Sequence, residues 1–461
     1  SLSRTLRQTL VDKIRASKQF FYSTTLPNFI KTNPSKFWRH LNARGRDDIN
    51  SIIIGNQTIT NKQLIVNEFK CFFQSVYSDS VPCKDIGEIR NATGLNSDFI
   101  SYEGIVAMLL NLKLKSSVGP DKIPNMFLYR YAESIAKFLV VIFRLSFSEG
   151  VVPAKWLIAR TVPVFKTGDR AIVTNYRPIS LLNSCSKLME HIISNYLVDF
   201  LNSRNILTPF QHGFRKGLST TTPLVSIVHT FSSVLDKSGQ VDAVFLDLSK
   251  AFDRVSHSGL LYKLNTLNVP HLLIKWIASY LEHRKQFVDV GGHVSDLGSV
   301  NSGVPQGSVL GPLLFLVYIN DITSCVHESV AIRLFADDCL LYRAVESTND
   351  QITLNDGLNL ISNWCDIWGM KLNQTKTVYM RITNKKCPLM FNYSVKGVEI
   401  SQTDSFKYLG LTFTNNLTWS MHIDKICAST RRKLGLLRHK LKKSSSHVKL
   451  LAYNTLIRPR L

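Results

Sequence analysis

Ile332-Arg333-Leu334-Phe335-Ala336-Asp337-Asp338-Cys339-Leu340-Leu341-Tyr342 sets two adjacent acids between two apolar runs. Runs of this composition favour strands, and the interruption predicts a tight β-hairpin with both carboxylates near its tip. Taken alone, an Asp-Asp turn is ordinary solvated punctuation. A second stretch changes its meaning. Val244-Phe245-Leu246-Asp247-Leu248-Ser249-Lys250-Ala251-Phe252-Asp253 runs an apolar strand straight into an acid. Asp247 is therefore expected at that strand's C-terminal end, the edge where α/β sheets keep their chemistry. If the two strands are neighbours, three carboxylates converge, and they stay ionised together only around cations.

Ligands that are all oxygen favour Mg²⁺, with Mn²⁺ as a substitute. Two such ions, roughly 3.5–4 Å apart, activate an attacking hydroxyl and stabilise a leaving oxygen in an in-line displacement. That is the machinery of nucleotide polymerisation. Asp247, Asp337 and Asp338 are the expected metal ligands, with the backbone carbonyl of Leu248 completing one shell. Asp253, six residues beyond Asp247, is expected to hold a structural hydrogen bond instead.

The rest of the chain suits a large polyanionic partner. Its 461 residues are 44% hydrophobic, enough to bury a sizeable core, and 56 Lys and Arg stand against 33 Asp and Glu for a net charge of +23. Charge of that size spread along a chain fits nucleic acid better than a small acidic substrate, with an anionic membrane surface as the second reading. No apolar run is long enough to span a bilayer, since Val309 to Ile319 is broken by Gly311-Pro312. The eight cysteines contain no Cys-x-x-Cys pair and no secretory leader is recognisable, so an intracellular setting, nuclear or cytoplasmic, is expected. The chain starts at Ser1 and stops inside a run that still has helical character, as a piece of a longer protein would.

Along the chain, strand and helix patterns alternate, which predicts an α/β or α+β fold. Residues 1–46 form a basic, helix-prone stretch with Phe20, Phe21, Tyr22, Phe37 and Trp38 interleaved, suited to nucleic acid or to packing on the main body. Residues 47–100, with one β-like run at Ile52-Ile53-Ile54, read as a connector. Ile135, Leu139, Ile142 and Leu145 predict the buried stripe of a helix ending near Gly150. Ser302-Gly303-Val304-Pro305-Gln306-Gly307-Ser308 reads as a flexible loop with a helix N-cap at Ser308. Ile361, Trp364 and Trp368 predict a packed helical face. Between Met421 and Leu461 there are eleven Lys or Arg and one acid, with Leu434, Leu437 and Leu441 on one side of a basic amphipathic helix. Helices of that kind bind nucleic acid, membranes or calmodulin-like partners.

Phe-Ala-Asp-Asp between apolar strands, preceded by Asp-x-x-x-x-Phe and by Ser-Gly-Val-Pro-Gln-Gly, resembles the reverse transcriptase family, and more narrowly the jockey-like enzymes of non-LTR retrotransposons. The resemblance covers residues from about 111 to 461. It implies an α+β right-hand polymerase fold with an antiparallel palm sheet and a helical N-terminal extension. The divisions expected are 1–110 as extension, 111–235 as fingers, 236–415 as palm and 416–461 as part of a basic helical thumb. The activity implied is RNA-directed DNA synthesis from dNTPs on an RNA template and a DNA primer, with no membrane and no stable protein partner needed for the chemistry.

The same resemblance assigns duties residue by residue. Lys166 and Arg177 look like the fingers cations that clamp the incoming triphosphate, where a guanidinium binds phosphate oxygens in bidentate fashion. Phe252 falls where the family keeps an aromatic under the deoxyribose, although a core phenylalanine reads equally from composition. Gly303, Pro305, Gln306 and Gly307 belong to the loop that supports the templating base and nascent pair, with Gln306 making the polar contact. Arg215 and Lys216, in Gln211-His212-Gly213-Phe214-Arg215-Lys216-Gly217, match the block lining the template path, or form an ordinary basic loop. Lys376 resembles the lysine proposed to protonate departing pyrophosphate. Tyr408-Leu409-Gly410 resembles the primer grip. The alternative is a decayed or domesticated nucleic-acid-binding protein without polymerase activity. Against it, every metal ligand and each of Lys166, Arg177, Phe252, Gln306 and Lys376 is present. With no endonuclease ahead of Ser1 the fragment is expected not to nick target DNA, and a thumb that stops short at Leu461 implies weak template grip and low processivity.

Overall fold

Asn61 opens a helix in the stretch that reads as a connector. Its side chain accepts hydrogen bonds from the backbone N–H groups of Gln63 and Leu64, capping the helix Lys62–Ser75. Ile65, Val66, Phe69 and Phe73 recur at helical spacing and are all fully buried. The hairpin before it pairs β1 (Ile52–Ile54) with β2 (Gln57–Ile59) through Gly55, whose φ of +59° suits glycine. The segment is thus part of a packed layer, and the connector expectation is corrected: four large apolar side chains at one helical face need a surface to cover.

The computed structural model describes residues 2–33, 36–38, 49–78, 97–442 and 444–461. They divide into two units, Ile49–Asp404 and Ser1–Asp48 with Ser405–Leu461. In the larger unit the helix Lys62–Ser75 lies on a sheet built from β3 (Ile158–Phe165) and β4 (Tyr176–Leu181), an antiparallel hairpin. After β5 (Gln240–Leu246), which belongs to another sheet, β6 (Lys285–Val290) joins β3 in parallel, and β7 (His293–Val294) and β8 (Gly298–Ser299) pair with β6. Phe69 meets Tyr176 edge-on with ring centroids 5.0 Å apart, beneath the residue that precedes Arg177.

The central sheet places β5 in the middle, flanked by β10 (Asp338–Ala344) and, across it, β11 (Val378–Thr383). β9 (Ala331–Phe335) forms one edge. After a small hairpin of β12 (Ser394–Val395) and β13 (Val398–Glu399), β14 (Ser401–Gln402) closes the other edge parallel to β11, whereas β5, β9, β10 and β11 pair antiparallel. Every residue of β5 is buried, Gln240 and Asp242 included, so both sheet faces are covered and the run Ala243 to Leu246 is wholly apolar. Successive side chains point to opposite faces. Tyr342 meets Phe231 of the helix Thr221–Leu235, while Arg343 pairs with Asp350 of the helix Thr348–Ile367, so these helices cover opposite sides. Ile361 and Trp364 pack in the core on the latter, as their spacing predicts.

The helix Ala132–Glu149 buries Ala132, Ala136, Leu139, Phe143 and Phe147, and leaves Ile142 and Leu145 exposed. The expected stripe is corrected by a rotation about the helix axis. Phe138 to Phe143 is a continuous apolar run, so periodicity alone leaves several faces eligible and the neighbouring elements choose. Gly150 ends the helix in the left-handed conformation.

In the smaller unit, Leu26, Ile30 and Phe37 share one core with Leu437, Leu441, Val448, Ala452 and Ile457. The N-terminal aromatic stretch therefore packs, in part, on the helices Ser420–Lys440 and Ser446–Leu456. The hairpin of β15 (Ser405–Tyr408) and β16 (Leu411–Thr414) turns through Leu409 and Gly410, with φ values of +48° and +95°. Among the described residues no helix is long and apolar enough to cross a membrane.

Candidate active site

Asp247 is the first residue beyond β5, and the pairing of Leu246 with Cys339 brings it level with Asp338 at the start of β10. Phe335 pairs with Asp338, so Ala336 and Asp337 form the two-residue turn between β9 and β10. The three acids of the sequence reading thus share one end of the β5–β10 pair. Asp337 is pushed above the usual carboxylate range by desolvation, with a further push from the charge of Asp247. Asp338 is pushed up to about 6 by desolvation and then by Asp337 and Asp247. Lys166 and Arg177 pull both acids back down.

This donor set fits divalent cations: oxygen only, crowded carboxylates, and a dication would relieve their repulsion. Among the described residues no three acid, histidine or cysteine side chains close as tightly as a finished metal shell, these three included.

A second strand of contacts locks Asp247 from the other side. Its carbonyl accepts from the Asn373 N–H at 2.8 Å, Ser249 N–H donates to the Lys371 carbonyl at 2.8 Å, and Leu248 bridges to Leu372. The loop so held carries Lys376, whose Nζ stands 3.9 Å from Asp247 Oδ2, with the lysine side chain 65% and the aspartate 41% exposed.

In front of the acids opens a cleft of about 760 Å³ lined by Lys166, Arg177, Asp247, Phe252, Asp337 and Lys376, together with Leu248, Pro305, Gln306 and Gly307. Lys166 follows β3 and Arg177 lies on β4, so the β3–β4 hairpin presents both cations. Lys250 joins them: burial lowers its pKa, and so does repulsion by Lys166, Lys376 and Arg177. The Phe252 ring forms part of the wall, stacked on Phe315 at 4.2 Å and edge-on to Phe214 at 6.0 Å.

The loop 302–308 is pinned, which corrects the expectation of flexibility. Gly303 N–H donates to the Val255 carbonyl at 2.8 Å, Val304 N–H to the Phe252 carbonyl at 2.9 Å, and Ser180 N–H to the Gln306 carbonyl at 2.7 Å. Gly303 and Gly307 have φ of +85° and +107°, and a Cβ on either would lie 2.7 Å from a backbone oxygen. Gln306 Nε2 donates to Asp253 Oδ1 at 2.8 Å, so Asp253 has the structural duty expected of it. The helix itself begins at Gly311, three residues after Ser308; the Ser308 hydroxyl accepts from Gly311 N–H. The buried Glu190 carboxylate accepts from Val309 and Leu310. A carboxylate from a distant helix thus shares the capping, a partner that local sequence does not reveal.

The remaining predicted residues lie elsewhere. Lys216 is exposed, while Arg215 spends Nη1 on the Thr208 and Gln211 carbonyls, at 2.9 and 3.4 Å, holding its own loop. Tyr408, Leu409 and Gly410 belong to the smaller unit, at the β15–β16 turn. Sequence reading missed Gln211, Asn373 and Lys250. The signal for Lys250 was its place three residues after Asp247; nothing local marked the other two.

A family model described as "Reverse transcriptase (RNA-dependent DNA polymerase)" matches residues 164–413, more than half of the chain. The chain is 31% identical over 371 residues to the RNA-directed DNA polymerase from mobile element jockey of Drosophila melanogaster, covering 78% of this chain and 40% of that protein. It is 34% identical over 342 residues to the probable RNA-directed DNA polymerase from transposon BS of the same species, covering 72% and 37%. The chain therefore spans well under half the length of these relatives. With the acids gathered at one strand end and the family match running across all of them, this chain belongs to the reverse transcriptase (RNA-dependent DNA polymerase) family.

Proposed function

We propose that this chain is the polymerase part of a non-LTR retrotransposon reverse transcriptase, extending a DNA primer with dNTPs on an RNA template. The observation that carries the reading is the shared end of β5 and β10, where Asp247, Asp337 and Asp338 gather and where Asp247 and Asp337 line the same cleft as Lys166 and Arg177. In hand terms, the central sheet is the palm, the β3–β4 hairpin with its covering helix the fingers, and the basic helices Ser420–Lys440 and Ser446–Leu456 the thumb.

Asp247, Asp337, Asp338 and the Leu248 carbonyl would hold two Mg²⁺ ions, or Mn²⁺ in their place. When bound, such ions lower the pKa of an attacking hydroxyl and neutralise charge on the transferred phosphate. The chain's own groups do the rest. Lys166 and Arg177 grip the triphosphate, Arg177 as a bidentate donor. The Phe252 ring stands where a ribose 2′-hydroxyl would have to fit. Gln306, aimed by Asp253, lies along the nascent base pair. Lys376, beside Asp247, supplies a proton to the leaving pyrophosphate. Net charge of +23 draws the template–primer hybrid through summed phosphate contacts, so binding weakens steeply with salt.

Primer extension on an RNA template with Mg²⁺ and dNTPs, comparing the chain with its Asp337→Ala/Asp338→Ala variant, tests the reading. Extension by the first alone supports it. If both bind the hybrid and neither extends, the chain is a nucleic-acid-binding protein and the polymerase reading fails.

A further inference from the structure

Ala336, the residue before the metal-binding pair, has φ +55°, a left-handed conformation that costs a side-chain-bearing residue on the order of 1 kcal/mol or more. The β9–β10 turn accepts that cost, so something outside the turn holds it. The neighbouring chain is Phe210–Gly213, which lies along β9 at the edge of the central sheet. Leu334 N–H donates to the Phe210 carbonyl and His212 N–H to the Leu334 carbonyl, each at 2.9 Å.

Between these two backbone bonds the Gln211 side chain, 1% exposed, turns into the hairpin tip. Its Oε1 accepts from the Ala336 N–H at 2.9 Å and from the Gly213 N–H at 2.8 Å, while its Nε2 donates to the Ala336 carbonyl at 3.3 Å. One amide therefore satisfies both backbone groups of the strained residue. Gly213 lets the loop come this close: a Cβ there would sit 2.4 Å from the Ala336 nitrogen.

We propose that Gln211 is a positioning residue that clamps the Ala336 turn and so sets where the carboxylates of Asp337 and Asp338 can meet a divalent ion. The inference rests on the metal-site reading above. It assigns the Gln211–Gly213 segment a duty behind the acids, in place of a contact with template. Glutamine is needed chemically. A glutamate of the same shape would keep the acceptor, lose the donor to the Ala336 carbonyl, and bring a fourth negative charge to the acidic edge. Alanine would leave three backbone groups in a buried place without partners.

Mn²⁺ binding to the whole chain, followed by electron paramagnetic resonance of the free ion, tests this without depending on turnover. Wild type, Gln211→Glu, Gln211→Ala, Ala336→Gly and the double variant Gln211→Ala/Ala336→Gly are compared, with Asp337→Ala/Asp338→Ala as the control. Gln211→Ala and Gln211→Glu are expected to weaken Mn²⁺ about tenfold or more, the scale of one lost buried hydrogen-bonding partner. Glycine takes φ +55° at no steric cost, so Ala336→Gly should recover part of the loss in the double variant and leave hybrid binding unchanged throughout. Unaltered Mn²⁺ affinity in folded Gln211→Ala or Gln211→Glu overturns the proposal. If both single variants unfold, failure of Ala336→Gly to restore folding and Mn²⁺ binding in the double variant does so too. Should the control bind Mn²⁺ as wild type does, it is the metal assignment of Asp337 and Asp338 that falls.

Discussion

Gln306 Nε2 donates a 2.8 Å hydrogen bond to Oδ1 of Asp253, a carboxyl that is 6% exposed and lies six residues beyond Asp247. That bond ties the loop 302–308 to the short helical turn carrying Phe252.

The same carboxyl gives a pH prediction. Burial pushes Asp253 up to about 6, although Gln306, Lys250 and Arg177 each pull it down. Its pKa is thus raised on folding, and the protonated form is the one the fold favours. The stability this carries is complete below about pH 4 and is lost as pH rises through about 6, to the extent of about 3 kcal/mol. Asp253→Asn keeps an acceptor for Gln306 and cannot ionise. Denaturant titrations of both proteins at pH 4.5, 6 and 8 should find the variant gaining on wild type with rising pH; parallel curves would mean that Asp253 does not titrate in this window.

Phe252 is held by Phe315 on one face and by the edge of Phe214. A ring so braced cannot swing away from a 2′-hydroxyl. Phe252→Val is expected to lower the preference for dNTPs over rNTPs on the order of 10–100-fold while extension with dNTPs persists. Single-nucleotide insertion on one template with paired dNTP and rNTP measures it, and an unchanged ratio removes the steric role.

Phe69 supports the strand that brings Arg177 to the cleft through packing. It is fully buried against Tyr176, next to Arg177 on β4. Phe69→Ala should cost about 3–5 kcal/mol in unfolding free energy. It should also raise KM for dNTP more than it lowers kcat, since β4 carries Arg177. A stability loss with KM untouched would separate the covering helix from nucleotide binding.

Much of the site was legible because its signals are local. Apolar runs that end on acids announce strands with charged ends, and both Asp247 and the Asp337-Asp338 pair stand where those runs predict. The Gly-Val-Pro-Gln-Gly segment was recognisable as a loop, but its rigidity was not, because its hydrogen bonds go to Val255, Phe252 and Ser180. The helix Lys62–Ser75 was overlooked although Ile65, Phe69 and Phe73 repeat at four-residue spacing; its polar surroundings masked the stripe. In Ala132–Glu149 the reverse held, since an excess of apolar residues hid which face is buried.

By itself the sequence determined that the apolar runs around the three acids become strands, where each acid sits along its strand, and how strongly basic the chain is, all properties of neighbouring residues. Only the tertiary structure decided that Leu246 pairs with Cys339 and so brings Asp247 level with Asp338. It alone decided that Gln211, more than a hundred residues earlier in the chain, bonds to Ala336 beneath the turn. Register and long-range hydrogen bonds depend on which surfaces meet once the core has formed, and no local propensity records that choice.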